Sequence, residues 1–253
     1  MSYLSNAICA AIKTHALHEF PFEACGLVVG EEYFPCQNVA PDPMNNFEIS
    51  IKEHLFHMAK GTIRACVHSH PAVNGETPVY GPSKLDMRSQ LDAAIPFALV
   101  VTDGVTTTDV YCWGDQLPIP PLIGRRFVHG ITDCYSLIRD VYRAGKDLCT
   151  QQQIDWPFAP VTLPEVPRDD KWWHGDADLY LDHFAGFGFK QIPHADVMPG
   201  DVFMARVRSK RINHGGVMTG KGRVLHHLAG RLSMRDTSSL WAKAADMWIR
   251  YHG

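Results

Sequence analysis

The chain has 253 residues, of which 45% are hydrophobic and 20% charged, as in a soluble globular protein of one large or two ordinary domains. Its formal net charge of -3 gives no electrostatic argument for nucleic-acid binding or for an anionic membrane surface. The seven cysteines are odd in number and form no C-x-x-C pair, which argues for a reducing compartment. We expect no signal peptide and no transmembrane span. We therefore expect the protein to be synthesised in the cytoplasm.

The first half of the chain mixes predicted helices and strands, which fits an α/β sandwich with a central sheet. Capping residues and apolar spacing place the elements. In chain order they are a helix from Leu4 that ends before Pro21, strands over 25–29 and 33–39, a helix over 50–60, a strand ending in histidines, a helix over 83–94, and strands over 97–101 and 106–113.

A histidine pair follows the apolar run that ends at Val67. His68 and His70 are two residues apart, so on a strand both side chains point to the same face. Asp86, on the next predicted helix, can add a carboxylate, and three such ligands leave the fourth tetrahedral position on zinc open, as in catalytic sites. Two alternatives stay open: a pair of surface histidines, and a helix-capping box formed by Ser83 and Asp86.

An upstream carboxylate favours the metal site. Glu23 precedes the apolar run 25–29, and with His-x-His-Pro and Ser-x-x-Asp it resembles the pattern of the JAMM (MPN-type) metallopeptidases. The resemblance implies that one Zn²⁺ binds His68, His70 and Asp86. It also implies that Glu23 is the general base and that Ser83 donates a hydrogen bond beside the ligands or on the oxyanion side.

The segment between the two parts of this pattern departs from the family. It runs from Pro71 to Ser83, includes 74–78, and is longer than in the usual pattern. We expect the extra residues to cover or reshape the metal site.

A proline-rich stretch separates the two halves of the chain. Three of the four residues 118–121 are proline, which extends the chain and prevents a helix. We therefore expect a first domain over 1–116, a linker over 117–126 and a second domain over 127–253.

The second half is organised around Cys134. Thr132 or Asp133 can cap a helix that runs to Gly145, so Cys134 lies at a helix N-terminus, where the macrodipole favours the thiolate. We expect a lowered thiol pKa there. Two later segments look like neighbouring antiparallel strands, one starting at His214 and one ending at His226. The arrangement makes His214 a candidate general base and His226 the residue that fixes its tautomer.

Three segments of this half, 133–137, 198–202 and 214–217, resemble successive signatures of the NlpC-type cell-wall cysteine peptidases. The resemblance implies a papain-like domain with Cys134 as the nucleophile and His214 as the base. It makes His226 the third triad residue, with His227 as the rival, because strand alternation lets only one of them face inward.

The segment 155–174 departs most from that family, being rich in Pro and Trp. Trp172, Trp173 and His174 either contact substrate or pack an insertion, and packing is the commoner role of buried aromatics.

A JAMM-type half followed by an NlpC-type half resembles the tail tip proteins of lambda-like tailed bacteriophages. The resemblance implies peptidoglycan and other phage tail tip proteins as partners, and a place in the virion tail or a tail-assembly intermediate. It implies an endopeptidase that cuts a stem-peptide amide, typically between D-γ-glutamate and diaminopimelate, beside a zinc-dependent peptidase or isopeptidase. A processing protease of tail assembly and a structural tail component with decayed sites are the alternatives.

Overall fold

The computed structural model describes residues 3–73 and 80–253. It divides into two compact units, Met1–Pro118 and Ile119–Gly253, each a mixture of helices and strands. Within the described ranges, no helix is long and apolar enough to cross a membrane.

The first unit is built on a five-stranded sheet in the order β2-β1-β3-β4-β5. Only β3 and β4 pair in parallel; the other pairs are antiparallel. Its elements are α1 (Asn6–Glu19), β1 (Cys25–Val29), β2 (Glu32–Cys36), α2 (Ile51–Met58), β3 (Ile63–Pro71), α3 (Lys84–Ala93), β4 (Phe97–Thr102) and β5 (Tyr111–Trp113).

Helix α1 covers part of this sheet. Its N-cap is Ser5, whose Oγ accepts the backbone N–H of Ile8. Ile8, Ile12 and Ala16 are spaced four residues apart and are the buried residues of the helix, so one stripe of α1 meets the apolar side chains of the sheet.

Two predicted strands are shorter in the structure than in the sequence analysis. The strand predicted over 33–39 ends at Cys36, because Asn38 turns the chain by accepting the N–H groups of Ala40 and Glu48. The strand predicted over 106–113 is confined to Tyr111–Trp113. Before this strand, the Asp103 side chain accepts the N–H of Thr106, so the turn that begins at Asp103 extends to Thr106. The predicted insertion over 74–78 lies outside the described residues.

The second unit is built on a six-stranded antiparallel sheet in the order β10-β9-β8-β7-β11-β6. Its elements are α4 (Cys134–Gln151), α5 (Leu179–His183), β6 (Phe189–Ile192), β7 (Val202–Ala205), β8 (His214–Thr219), β9 (Arg223–His226), β10 (Met234–Thr237), α6 (Ser238–Ala244) and β11 (Met247–Tyr251).

Helix α4 packs on the sheet through Leu137, Ile138 and Val141, which join one core with β7, β8 and β9. The sequence predicts that it stops at Gly145. The structure has a break there, with φ 60°, and helical turns resume to Gln151. A side chain at Gly145 would meet Pro160 at 2.6 Å, so both the dihedral angle and the close approach require glycine.

The segment predicted as a linker, 117–126, belongs to the second unit from Ile119 onward. Leu122 is fully buried in the core of that unit. Arg125 donates to Asp140 of α4 at 2.7 Å and to the carbonyl oxygens of Pro120 and Pro121. From Ile119 onward the stretch is therefore part of the second unit, anchored by Leu122 and Arg125.

Candidate functional sites

The structure brings together the three metal ligands predicted in the first unit. The Nε2 atoms of His68 and His70 are 3.3 Å apart. Nε2 of His68 lies 3.4 Å from Oδ1 of Asp86, and Nε2 of His70 lies 3.2 Å from Oδ2. Two imidazoles and one carboxylate converging in this way fit the donor set of a divalent zinc ion.

Asp86 serves the cap of α3 and the histidine cluster at once. Its Oδ2 accepts hydrogen bonds from the backbone N–H of Ser83 at 2.7 Å and from the Ser83 hydroxyl at 2.8 Å, and Ser83 Oγ accepts the Asp86 N–H. Burial disfavours the carboxylate, but His68 and His70 outweigh burial and hold the Asp86 pKa well below its usual range. The capping box and the metal site are therefore compatible, not rival, interpretations.

Aromatic side chains enclose His68. Phe47 stacks on its ring at 4.5 Å between centroids, and Trp113 meets it edge-on at 6.0 Å. Burial lowers the pKa of His68, which favours the neutral imidazole that ligates metals, and the neighbouring Asp86 opposes that shift. Its Nδ1 is buried and has no hydrogen-bond partner among the described residues.

Glu23 lines the same cavity as His70 and Asp86, a space of about 550 Å³. Its backbone is fixed, since its N–H donates to the Pro43 carbonyl and its own carbonyl accepts from Asn38. Burial raises the pKa of Glu23 to about 8, and His70 opposes the rise. A carboxyl poised near neutrality is suited to exchanging protons.

In the second unit, Cys134 is the first residue of α4 and lines a cavity of about 510 Å³. Its Sγ lies 3.2 Å from the hydroxyl of Tyr180 and 3.8 Å from the carbonyl oxygen of Asn213. Tyr180 is on α5, in a segment without a motif, so no signal in the sequence points to it.

The prediction of a lowered pKa for Cys134 is wrong. Burial raises the thiol pKa to about 11, and the neighbouring Asp133 carboxylate raises it further. The Tyr180 hydroxyl, Arg168 and the Gly215 N–H act in the other direction but do not outweigh burial. The position of Cys134 at a helix N-terminus is predicted correctly. Its burial, which raises the pKa, depends on tertiary packing that the sequence does not reveal.

His214 is the first residue of β8 and lines the same cavity as Cys134. Within the described structure its ring forms no hydrogen bond with the Cys134 thiol. It packs against Trp241 at 5.0 Å and His226 at 5.4 Å between ring centroids, and its Nε2 is buried without a hydrogen-bond partner. Burial, then the nearby His226 and His227, lowers the pKa of His214 to about 3.

The two candidates for the third triad residue have different surroundings. His226 is beside His214 and donates from Nε2 to Oδ2 of Asp236 at 3.2 Å. His227 is fully buried, donates from Nε2 to the Arg231 carbonyl, and packs edge-on against Phe127. Asp236, on β10, was not selected from the sequence because only the strand register brings it opposite β9.

The segment 155–174 contributes directly to the cavity. Trp172 and Trp173 line it, and Trp172 also contacts the ring of Tyr180. Arg168 binds Asp133, the residue that caps α4. The sequence alone does not decide between lining a groove and packing an insertion; in the structure the two tryptophans line the cavity, and His174 is not among the lining residues.

The folds and residue clusters define a two-domain protein that joins a JAB-type unit to an NlpC/P60-type unit. The model of the NlpC/P60 family matches residues 109–250, and the model of prokaryotic homologs of the JAB domain matches 5–113. The chain is 35% identical to tail tip assembly protein K of Escherichia phage lambda over 195 residues, which cover 74% of this chain and 84% of that protein. It is 29% identical to tail tip assembly protein K of Escherichia phage N15 over 248 residues, covering 95% and 93%. The chain belongs to the NlpC/P60 family and, through both domains, to the lambda-like tail tip assembly proteins.

A solved structure, protein DSY2949 from Desulfitobacterium hafniense, is 21% identical with a TM-score of 0.36, covering 45% of this chain and 84% of that one.

Proposed function

We propose that this tail tip assembly protein is a cysteine endopeptidase that cleaves the stem peptide of peptidoglycan at the amide between D-γ-glutamate and diaminopimelate. The observation that carries the proposal is the position of Cys134, at the start of α4 inside a cavity that His214 also lines. A nucleophile and a base that share a substrate-sized cavity are the minimum that acyl transfer requires.

The chemistry follows from the protonation states. With pKa values of about 11 for Cys134 and about 3 for His214, both groups are neutral near pH 7. Cys134 attacks the amide carbonyl while His214 takes its proton, and the same proton then goes to the leaving amine. Water hydrolyses the resulting thioester. The negative charge on sulfur during this transfer favours the imidazolium, which opposes the effect of burial.

Neighbouring side chains support this proposed pair. His226 is oriented by its hydrogen bond to Asp236 and contacts the ring of His214, so it fits the role of the third residue. Helix α4 packed on β8 is consistent with the papain-like arrangement, in which the nucleophile at a helix N-terminus faces a sheet.

The charge of the cavity suits an acidic peptide. Arg168, Arg208 and Arg231 line it, and Asp133 is the single acidic residue among its described lining residues. Asp133 is already bound by Arg168, so the other two cations are the ones available to the carboxylates of glutamate and diaminopimelate.

We further propose that the first domain is a zinc-dependent peptidase or isopeptidase that acts on another tail protein. His68, His70 and Asp86 would hold the ion. Bound there, Zn²⁺ would act as a Lewis acid that makes water a stronger nucleophile. Glu23, in the same cavity, would in its ionised form take a proton from the attacking water and return it to the leaving amine.

The relatives are named for tail tip assembly, and we infer partners and location from those names. Other tail tip proteins are the proposed partners, and the virion tail or a tail-assembly intermediate is the proposed location. Delivery by a virion would bring a wall peptidase to peptidoglycan without secretion.

A defined substrate tests the peptidase. The full chain is incubated with synthetic L-alanyl-D-γ-glutamyl-diaminopimelate, and the products are separated by mass. We expect release of free diaminopimelate, and none with Cys134→Ala. If the peptide stays intact but a purified tail tip protein is cleaved, the proposal is wrong and the protein is a processing protease. Cleavage of neither would favour a structural role.

A further inference from the structure

Helix α2 turns polar rather than apolar side chains toward the protein. Its one buried residue is His57, at 5% exposure, whereas Leu55 and Phe56 are 56% and 60% exposed. A surface helix normally packs through an apolar stripe. Hydrophobic burial along this helix is therefore small, and its contacts with the protein are made mainly by polar side chains.

His57 is part of a second cluster of metal-ligating side chains. Glu53 and His57 are four residues apart and so share one face of α2. They meet Cys36, the last residue of β2, and one ligand atom from each of the three residues lies within 4.8 Å of the others. None of these residues belongs to the His68–His70–Asp86 site.

Two features of its members make this cluster a candidate metal site. The Nδ1 atom of His57 is buried and has no hydrogen-bond partner among the described residues, a state that costs free energy unless a further group binds. The Glu53 side chain also reaches from α2 to the residue that follows β2. Its backbone N–H is capped by Ser50, but its carboxylate accepts the N–H of Gln37, next to Cys36, instead of completing the capping box.

We propose that Cys36, Glu53 and His57 bind a Zn²⁺ ion that fastens helix α2 to the end of β2. A thiolate, an imidazole and a carboxylate form a borderline-soft donor set that suits zinc, whereas calcium and magnesium take oxygen ligands. Glu53 is half-buried, so water can reach the fourth position. On binding, the Cys36 thiol loses its proton to solvent and His57 binds as the neutral imidazole.

The site would act on the first candidate metal centre through the chain between its ligands. Cys36 and Glu53 flank segment 37–50, whose ends already meet in a bridge between Asn38 and Ile49. That segment carries Phe47, which stacks on His68. An ion that joins Cys36 to α2 therefore fixes both ends of the segment that covers one side of the His68 ring.

Cobalt distinguishes this site from the other one. Co²⁺ bound to a thiolate has a near-ultraviolet charge-transfer band, and the His68–His70–Asp86 cluster contains no sulfur. The metal-free full chain is titrated with Co²⁺ alone. We expect the band in wild type and in His70→Ala, and its loss in Cys36→Ser. Cys9→Ser, on α1, and Cys134→Ser are the matched controls and should keep it.

A second variant guards against misfolding of Cys36→Ser. His57→Ala should weaken Co²⁺ binding at the thiolate site by more than about a hundredfold, since even groups behind a metal ligand contribute about 10–100-fold. Circular dichroism checks that each variant is folded. A band that is absent from wild type, or that survives in folded Cys36→Ser, overturns the proposal. Neither result would bear on wall peptidase activity at Cys134.

Discussion

Arg168 binds both carboxylate oxygens of Asp133, with Nη2 2.9 Å from Oδ1 and 2.7 Å from Oδ2 and with Nε 3.0 Å from Oδ2. Asp133 in turn accepts the N–H of Ser136 at 2.9 Å and so caps α4 immediately before Cys134. Asp133 and Arg168 are each 3% exposed. The end of the helix that carries the proposed nucleophile is thus held by a buried ion pair from a distant segment.

Removing the cation of this pair should destabilise the second domain. Arg168→Met leaves the Asp133 carboxylate buried without its partner, and breaking a buried pair in this way costs about 3–5 kcal/mol. Urea unfolding measures the change. Arg206→Met is the matched control, because Arg206 pairs with Asp246 at the exposed surface and should change the free energy of unfolding by less than about 1 kcal/mol. Equal effects of the two variants would contradict the prediction.

The same pair should make stability depend on acid pH. Burial disfavours the Asp133 carboxylate, but Arg168 outweighs it and holds the pKa well below the usual value. A carboxyl whose pKa is lower in the folded state stabilises above the unfolded pKa, about 4, and loses that contribution as pH falls below it. Wild type should therefore lose stability below about pH 4 more steeply than Arg168→Met. If the stability of wild type and of Arg168→Met falls equally steeply with pH, the prediction is contradicted.

The pKa of the Cys134 thiol predicts its reactivity in the absence of substrate. The thiolate is the alkylating form, and burial raises this pKa to about 11. The rate of Cys134 alkylation, followed by peptide mass spectrometry, should therefore keep rising with pH toward about 11. A rate that reaches its plateau below neutral pH would instead indicate a preformed thiolate–imidazolium pair with His214.

Tyr180 should assist the reaction through its hydroxyl, which lies 3.2 Å from the Cys134 sulfur. Tyr180→Phe keeps the ring and removes that hydrogen bond. We expect kcat to fall about tenfold, the value of one hydrogen bond to a charged group, with little change in KM. The alkylation profile of Cys134 should also move to higher pH, since the hydroxyl lowers the thiol pKa.

Tyr135→Phe provides the control for Tyr180→Phe. Tyr135 lines the same cavity, but its hydroxyl donates to the Pro164 carbonyl at 2.6 Å and not to sulfur. It should leave the alkylation profile unchanged. If both variants shift that profile alike, the effect belongs to packing and not to the Tyr180 hydrogen bond.

Two substitutions at the first candidate metal centre should distinguish metal binding from proton transfer. His70→Ala should remove about one zinc per chain, because it deletes a ligand. Glu23→Gln should keep that zinc and lose any zinc-dependent peptidase activity, because Glu23 supplies the base. Glu48→Gln, an exposed carboxylate on the same cavity, is the control and should change neither. Equal metal content in wild type and His70→Ala would contradict the ligand assignment.

The local parts of both sites were predictable from sequence. Strand alternation placed His68 and His70 on one face, and the capping spacing put Asp86 one turn into α3. The helix start at Asp133 followed from its capping residue. These signals arise within a few residues, so one strand or one helix turn decides them.

Contacts made by tertiary packing were not predictable. Arg168 and Tyr180 meet the Cys134 end of α4 from segments that carry no periodic pattern, and Asp236 reaches His226 only through strand register. Burial reversed the expected direction of the Cys134 pKa. Helix α2 was predicted from its cap, but nothing local indicated that its polar face would meet Cys36.

Digestion of purified Gram-negative sacculi tests the central claim most directly. The full chain and Cys134→Ala are incubated with sacculi, and the released fragments are identified by mass spectrometry, with Cys9→Ser as the cysteine control. The account predicts fragments cut between D-γ-glutamate and diaminopimelate from wild type and Cys9→Ser, and none from Cys134→Ala. Release by Cys134→Ala, or no release by any of the three proteins, would contradict it.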